Sequence, residues 1–404
     1  MSADSATNQV NWPDVLSSPY YGMVFLGLAN AAYTSEGDAK AIYSDLHAVF
    51  DSDSYLPKLP DVGQAGVEEP RSIPGNWLLD WGPAVAEDNS NMLYIASYRD
   101  SNNSPLFYTV CLRGTDTSSG VEGLIDQIKQ DLDDFSLQSW QKVLADNSAL
   151  NLKAKPVETQ AGKISIGSRD GFVKLAGLKA KLTLEGDELI LASALKALLD
   201  KQMAPVVVTG HSLGGNQTQV VAAYLDWQFG DVTQVIPQPF APPTPGDAAF
   251  ATQPVFKRGQ FWFNTLDLVP YAYITMEEGG EQVLGIRWAK DNLWHSFEWP
   301  EPTQGKGPRL PDLIRLAIDA LGPFVPHTFS RPIEGGMIQL NGSLPTIETL
   351  KAFMKDAGLT SPIYHPEGSL VQLMWQHFPP CYRSLMWSQQ KDKLVNFDFK
   401  SYPS

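Results

Sequence analysis

The chain has 404 residues, of which 43% are hydrophobic and 19% charged, a composition typical of soluble globular proteins that bury a large core. Its formal net charge of −15 argues against binding nucleic acid or an anionic membrane through charge. Its two cysteines, Cys111 and Cys381, are too few for a disulfide framework or a cysteine metal cluster. No signal peptide is visible, so the chain as written is expected to be cytoplasmic, or secreted if a leader has been removed.

The first part of the chain is predicted to contain a buried apolar segment and a pair of strands. Residues 20–33 are uncharged and fit either an apolar helix or another buried segment. The β-rich runs 91–100 and 104–114 are joined by a polar turn, which predicts a hairpin. Apolar residues at helical spacing predict a helix over 121–132, whereas the polar residues 136–170 are expected to be irregular.

Strands and helices alternate in the middle of the chain. The patterns predict a helix over 187–200, a strand over 205–210, a helix over 216–229 and a strand over 233–241. This alternation requires crossover connections. It therefore predicts an α/β fold with a mostly parallel central sheet flanked by helices.

The late part of the chain has a different composition. Residues 271–308 are rich in Gly, Pro and Glu, and amphipathic helices are predicted over 310–321 and 346–357. We interpret approximately 271–365 as a helical and loop insertion, or cap, within a single domain that comprises residues 1–404. The apolar stripe of the 310–321 helix fits either a core-facing helix or a mobile lid.

Residues 210–214 read GHSLG and match the pattern G-x-S-x-G. A strand that enters a helix through a very tight turn lifts the serine hydroxyl above the sheet, and the glycines leave room for neighbouring backbone. The predicted strand before Ser212 and the predicted helix after it supply this context. Ser212 is therefore predicted to be a nucleophile; the alternative is a serine that caps an ordinary helix.

A serine nucleophile that attacks an acyl group needs donors for the oxyanion. One is expected to be the amide that follows the nucleophile, which belongs to Leu213. The other is expected in an early loop between strand and helix, where Thr115 offers both an amide and a hydroxyl. The alternative is that residues 113–115 form only a turn and a helix cap. No metal ion or organic cofactor is implied.

Four segments in this order resemble the class 3 lipase family of α/β hydrolases. They are LRGTDTS, TGHSLGG, FAPPTPGDAAFA and NTLDLVP, and the resemblance covers about residues 20–270 and resumes near 370. The resemblance implies an α/β-hydrolase fold, an oxyanion residue at Thr115 and a triad acid at Asp267. The remaining positions that match the family's motifs are Phe240, Pro243, Gly246, Asp247, Phe250, Asn264, Val269 and Pro270. The proline-rich residues 241–247 depart from the family, which has an arginine in this stretch.

Asp267 is also indicated without the resemblance, because it follows the strand-like residues 258–264 and comes after Ser212. In α/β hydrolases the order along the chain is serine, acid and then histidine. The alternative is a loop aspartate that caps a turn. The same order leaves four candidates for the base: His295, His327, His365 and His377. His377, in a predicted loop before Pro379 and Pro380, is favoured, and His327 is second.

These residues together predict a serine carboxylic-ester hydrolase that acts on lipid or other small esters, with transient contact at a lipid interface. Ser212, His377 and Asp267 would form the triad, and the ester would be cleaved through an acyl-enzyme. A phospholipase or a feruloyl-type esterase would use the same residues. A lipase-like scaffold that binds partners without catalysis is the alternative from another class. The oligomeric state is left open.

Overall fold

The computed structural model describes the greater part of the chain, and its ranges are residue 16 and residues 21–33, 39–51, 60–61, 71–72, 74–87, 91–113, 136–152, 157, 160–182, 186–271, 274–294, 329–331, 336–359 and 369–390. Thr115 and the helices predicted over 121–132 and 310–321 lie outside these residues. So do three of the candidate histidines: His295, His327 and His365.

A seven-stranded sheet forms the centre of the fold. Its strands lie side by side in chain order, β1 to β7. The first three pair antiparallel, and β3, β4, β5, β6 and β7 are parallel neighbours. The predicted α/β-hydrolase fold with a mostly parallel sheet is thereby confirmed. The strands are β1 (Asn76–Val85), β2 (Met92–Arg99), β3 (Pro105–Leu112), β4 (Val206–His211), β5 (Val235–Phe240), β6 (Gln260–Asn264) and β7 (Gly336–Leu340).

Helices cover both faces of this sheet. The described helices are α1 (Gly22–Ala31), α2 (Ala39–Asp51), α3 (Trp140–Asp146), α4 (Ile166–Gly177), α5 (Leu191–Lys201), α6 (Leu213–Phe229), α7 (Ala248–Ala251), α8 (Gly285–Ala289), α9 (Ile347–Asp356), α10 (Ser369–His377) and α11 (Pro379–Gln390). Helices α3 to α6 pack on one face and α1, α2 and α11 on the other. Because successive strand side chains point to opposite faces, Val206 and Val208 join the first core and Val207 the second. This double burial explains why these strands are continuous apolar runs.

Smaller elements lie outside the central sheet and its covering helices. Four two-stranded sheets pair Pro60–Asp61 with Arg71–Ser72, Leu137–Ser139 with Lys163–Ser165, Lys179–Lys181 with Glu188–Ile190, and Thr275–Glu278 with Glu281–Leu284. Short 3₁₀ turns occupy Ser148–Leu150, Pro254–Arg258 and Val269–Tyr271, and a π turn occupies Lys290–Trp294. No helix in the described ranges is both long and apolar enough to span a bilayer.

The prediction of irregular structure over 136–170 was wrong. This stretch contains α3, two short strands and the beginning of α4. Such short elements depend on tertiary packing, which sequence periodicity does not report. Trp140 of α3 provides that packing, because its ring lies 5.3 Å from the ring of Phe172 and 5.7 Å from that of Phe250, measured between centroids.

The strand β7 lies inside the region that we interpreted as an insertion, 271–365. It pairs in parallel with β6 over five residues, from Gln260 opposite Gly336 to Asn264 opposite Leu340. This part of the region therefore belongs to the central sheet. The antiparallel hairpin of Thr275–Glu278 and Glu281–Leu284 comes between β6 and β7 in the chain.

Candidate active site

Ser212 lies at the tight turn between β4 and α6. Its backbone has φ 58° and ψ −126°, a region that non-glycine residues rarely adopt and that stores strain. Its side chain makes no capping hydrogen bond to α6, so the structure does not support the alternative of a simple helix cap. Gly215, one turn further on, lets this helix approach β5: a Cβ there would lie 2.7 Å from the carbonyl oxygen of Phe240.

His377 is the last residue of α10, and its ring faces the serine. The distance from its Nε2 to the Ser212 Oγ is 2.8 Å. The sequence placed this histidine in a loop between ordered elements; in the structure only Phe378 separates α10 from α11, which begins at Pro379. Proline suits that position because the first helical residue has no intrahelical use for its N–H.

Asp267 follows the end of β6 and contacts the other nitrogen of the same ring. Its two carboxylate oxygens lie 3.1 and 2.9 Å from the His377 Nδ1. The carboxylate is fully buried. It accepts two further hydrogen bonds, from the Val269 amide at 3.0 Å and from the Tyr382 hydroxyl at 2.7 Å. These donors fix the orientation of the carboxylate towards His377.

A buried amide network connects the strand that precedes Asp267 to the helix that ends at His377. The Asn264 Nδ2 donates at 2.8 Å both to the backbone carbonyl and to the Oε1 of Gln376. The Gln376 Nε2 donates to the Ser343 carbonyl at 2.9 Å. Gln376 thus ties the end of α10 to β6 and to the segment after β7.

His211, the residue before Ser212, also contacts the C-terminal end of α10. Its Nε2 lies 2.7 Å from the backbone carbonyl of His377. Burial, followed by the nearby ring of His377, holds the pKa of His211 well below its usual value. The ring is therefore neutral at pH 7, and its Nε2–H donates to that carbonyl.

The amide of Leu213 belongs to the first residue of α6, directly after Ser212. The first α-type hydrogen bond at this turn runs from the Asn216 amide to the Ser212 carbonyl, at 3.0 Å, so the Leu213 N–H has no acceptor one turn earlier inside the helix. Thr115 lies outside the described residues. The strand that precedes it in the chain, β3, ends at Leu112, which pairs with Gly210 of β4.

The described residues contain no group of three or more His, Cys, Asp and Glu side chains that could hold a metal ion. Of the two histidines excluded by chain order, His47 lies on α2 with its ring 4.2 Å from that of Tyr43, measured between centroids, and His211 has the supporting contact described above. Both cysteines are free and buried.

Serine, imidazole and carboxylate thus form a continuous hydrogen-bonded chain, which is the arrangement that activates a hydroxyl for nucleophilic attack. Motif spacing and chain order had indicated Ser212 and Asp267 and had left four histidines, of which His377 was favoured. They had not indicated the supporting contacts of Gln376 and His211, whose partners are distant in sequence. Tyr382 lies in the part of the chain, from near residue 370, where the family resemblance resumes.

Comparison with known proteins gives one sequence match and several structural ones. Residues 110–274 match the family model described as Lipase (class 3). The resemblance to the class 3 lipase family is thereby confirmed. The match to class 3 lipases indicates an ester-hydrolysing lipase. No curated protein sequence matches the chain.

Among solved structures, that of M37 lipase is similar to this chain with a TM-score of 0.57 and 20% identity, over 95% of this chain and 96% of that one. It supports the fold. The Lip2 lipase from Yarrowia lipolytica has a TM-score of 0.38 and 12% identity, over 62% and 72% of the two chains. A lipase from Rhizopus microsporus var. chinensis has a TM-score of 0.37 and 14% identity, over 63% and 68%.

Proposed function

We propose that this protein is a serine carboxylic-ester hydrolase that cleaves lipid esters through an acyl-enzyme. The observation that carries the proposal is the 2.8 Å contact between the Ser212 Oγ and the His377 Nε2, with Asp267 on the opposite nitrogen of the ring. A hydroxyl is a weak nucleophile unless an adjacent base accepts its proton. The three side chains lie in the order that this chemistry requires.

In the proposed reaction the Ser212 Oγ attacks the ester carbonyl carbon while its proton passes to the His377 Nε2. The resulting imidazolium is stabilised by the Asp267 carboxylate, which also keeps the Nδ1 nitrogen protonated. The tetrahedral intermediate then expels the alcohol, which receives the proton from His377. Water repeats the sequence on the acyl-enzyme and releases the carboxylic acid.

The negative charge of the tetrahedral intermediate needs preorganised donors. We propose that the Leu213 amide supplies one, because it stands at the N-terminus of α6, where the helix dipole also favours negative charge. Thr115 is proposed to supply the second, through its amide and hydroxyl. Replacement of Thr115 by Val would isolate the contribution of the hydroxyl.

The first experiment asks whether Ser212 is an activated nucleophile. A fluorophosphonate probe should label the wild-type protein and fail to label Ser212→Ala, because only a serine with a base beside it reacts quickly. Ser148→Ala is the matched control, since Ser148 is an exposed serine in a 3₁₀ turn, and this variant should be labelled normally. A wild-type protein that resists the probe would favour the non-catalytic scaffold.

The second experiment addresses the substrate class. Rates on p-nitrophenyl esters of increasing acyl length, on a phospholipid and on a methyl ferulate should separate a lipase from a phospholipase and from a feruloyl-type esterase. We expect long-chain lipid esters to give the highest kcat/KM, in keeping with the class 3 lipase match over residues 110–274. A preference for the phospholipid or the ferulate would replace the lipase assignment while keeping the same triad.

A further inference from the structure

Arg331 contacts both ends of the segment that carries Asp267. The carbon of its guanidinium lies 5.1 Å from the ring centroid of Phe263, which belongs to β6. It lies 4.6 Å from the ring centroid of Tyr271, which follows the acid in the chain. A cation over the face of an aromatic ring is attracted by the electrons of that ring. One side chain therefore joins the strand before Asp267 to the turn after it.

Two oxygen atoms of the turn after Asp267 accept hydrogen bonds from the same guanidinium. A terminal nitrogen donates to the Pro270 carbonyl at 3.2 Å, and the Tyr271 hydroxyl is the second acceptor. A guanidinium presents its N–H groups in a rigid plane, so two acceptors that it holds are fixed relative to each other. Because Pro270 has no N–H with which to hold this turn, a contact from outside has a larger effect on its position.

The same turn directs the carboxylate of the acid. The Val269 amide donates to the Asp267 Oδ1 at 3.0 Å, and this oxygen also lies 3.1 Å from the His377 Nδ1. Val269 and Pro270 are neighbours in the chain and both belong to the 3₁₀ turn Val269–Tyr271. The donor that orients the acid and the carbonyl that Arg331 holds are therefore one residue apart, and a shift of the turn would turn the carboxylate away from the imidazole.

The backbone at Arg331 is held by a different part of the fold. The Ser330 amide donates to the Gly246 carbonyl at 3.1 Å, and Phe329 forms an isolated β-bridge with Asp247. Gly246 and Asp247 belong to the loop after β5, and neither contact involves the turn after the acid. Arg331 therefore projects from a fixed backbone and can limit the movement of that turn.

We propose that Arg331 is a positioning residue for Asp267. Its guanidinium holds the turn Val269–Tyr271 in place, so that the Val269 amide keeps the carboxylate directed at His377. This inference rests on the proposed function, because it assigns Arg331 to the reaction of the triad. Arg331 touches no reacting atom. Since the aim of the acid affects the reaction more than substrate binding, loss of Arg331 should lower kcat and leave KM nearly unchanged.

The test compares kcat and KM on p-nitrophenyl butyrate among three variants. Arg331→Met keeps an unbranched side chain without its charge and hydrogen bonds, and we expect kcat to fall about 10–100-fold with little change in KM. Arg331→Lys keeps the charge without the planar donors and should have an intermediate kcat. Arg258→Met is the matched control. Arg258 precedes β6, donates to the Val235 carbonyl and is ion-paired to Asp226, so its loss should lower stability and leave kcat unchanged.

Two results with a folded Arg331→Met would overturn the proposal: a wild-type kcat, or a change in KM alone. If Arg331→Met does not fold, Tyr271→Phe takes its place, because this change removes one acceptor of the guanidinium and keeps the ring. We expect Tyr271→Phe to lower kcat about 3–10-fold, the effect of one lost hydrogen bond. An unchanged kcat in this variant would reject the positioning role.

Amide hydrogen exchange gives a readout that does not depend on ester hydrolysis. NMR measures the exchange rate of the Val269 amide relative to that of Val207, which is buried in the central strand β4. In Arg331→Met, or in Tyr271→Phe if that variant is needed, this ratio should rise about 10-fold because the turn opens locally. Arg258→Met should not raise it.

An exchange ratio that stays at the wild-type value would show that Arg331 does not hold the turn, and the proposal would be wrong. A wild-type protein that hydrolyses no ester would refute the proposed function. The exchange ratio would still decide whether Arg331 fixes the turn that orients Asp267, so the two failures are distinguishable.

Discussion

The ring of His377 contacts both other members of the proposed triad. Its Nε2 contacts the Ser212 hydroxyl, and its Nδ1 contacts the Asp267 carboxylate. Both contacts are buried, so water does not compete with them. In the proposed mechanism the ring must carry a proton from the hydroxyl to the leaving alcohol. The two contacts fix the tautomer that such a transfer needs, because the carboxylate accepts the Nδ1 proton and leaves Nε2 free to receive another.

We expect His377→Ala to remove nearly all ester hydrolysis while the protein remains folded. Loss of the base of a serine triad costs about 10⁶ in kcat. His47→Ala, which alters a histidine of α2 outside the site, should keep the wild-type kcat. The measurement is kcat on p-nitrophenyl butyrate together with a circular dichroism spectrum. Loss of activity in His327→Ala instead, with His377→Ala active, would move the base to residue 327.

Gln376 is expected to act as a positioning residue for His377. In Gln376→Leu two hydrogen bonds are lost, the one that the Asn264 Nδ2 donates to the Gln376 Oε1 and the one that the Gln376 Nε2 donates to the Ser343 carbonyl. The end of α10 should therefore move. A small displacement of a reacting group lowers the rate more than it weakens binding, so we expect kcat to fall by about 10–100-fold with little change in KM.

Gln372→Leu provides the control for this experiment. Gln372 is a buried glutamine one turn earlier on α10, and its Oε1 has no hydrogen-bond partner among the described residues. Its replacement should leave kcat unchanged. If both variants lose stability while kcat stays at the wild-type value, Gln376 contributes only to stability and does not position His377.

At the scale of elements, the site assembles where parallel strands end. Ser212 follows β4 and Asp267 follows β6, and both strands run in the same direction in one sheet. The C-terminal edge of such a sheet is where α/β proteins place their ligands. Gly215 is needed because α6 must begin close to β5.

We expect Gly215→Ala to destabilise the protein by about 1–3 kcal/mol and to reduce activity, because overpacking displaces backbone. The added Cβ would lie 2.7 Å from the Phe240 carbonyl oxygen and 3.2 Å from the Pro242 Cα, both of which are backbone atoms. Gly177→Ala is the matched control: Gly177 ends α4, and the atom nearest to the added Cβ would be a side-chain atom of Leu150 at 3.8 Å. That change should be neutral or slightly stabilising. Urea unfolding of both variants measures the difference, and equal midpoints would contradict the packing explanation.

Strands β2 to β6, the serine turn and the aspartate were predictable because their signals are local, whereas β1 and β7 were not predicted. The Ser212 turn requires a pattern of five residues, and Asp267 directly follows an apolar strand. Gln376 could not be assigned in this way, because its partners Asn264 and Ser343 lie 112 and 33 residues away. The short helix α3 was missed for a similar reason, since its stability comes from Phe172 and Phe250 rather than from its own seven residues.

At the scale of the whole molecule, His211 links stability to pH. Its pKa lies well below the usual value in the folded protein because of burial, whereas the unfolded chain restores a pKa of about 6.5. Below that pH the unfolded state binds more protons than the folded one. Stability from this residue is therefore full above about pH 6.5 and is lost as the pH falls towards the lower folded-state pKa.

We expect the urea midpoint of the wild type to decrease between pH 7.5 and pH 5.5, values that bracket the ordinary histidine pKa of about 6.5. His211→Asn should show a smaller decrease over the same interval, because it has no titrating group at this position. His47→Ala is again the control, and its pH dependence should follow the wild type. If the urea midpoints of His211→Asn and the wild type decrease equally between pH 7.5 and pH 5.5, His211 is not the source of this pH dependence.

The distance along the chain between acid and base has a consequence for how the protein is made. Asp267 and His377 are 110 residues apart, and Tyr382, which orients the acid, comes later still, on a helix whose Leu385 and Met386 share one core with Phe25 of α1. On the proposed mechanism, a nascent chain that already displays Ser212 and Asp267 has no base and cannot yet attack an ester. Hydrolysis would begin only after α10 and α11 have left the ribosome and docked. A premature stop codon before residue 377 would therefore yield an inert polypeptide rather than a lipase of altered specificity.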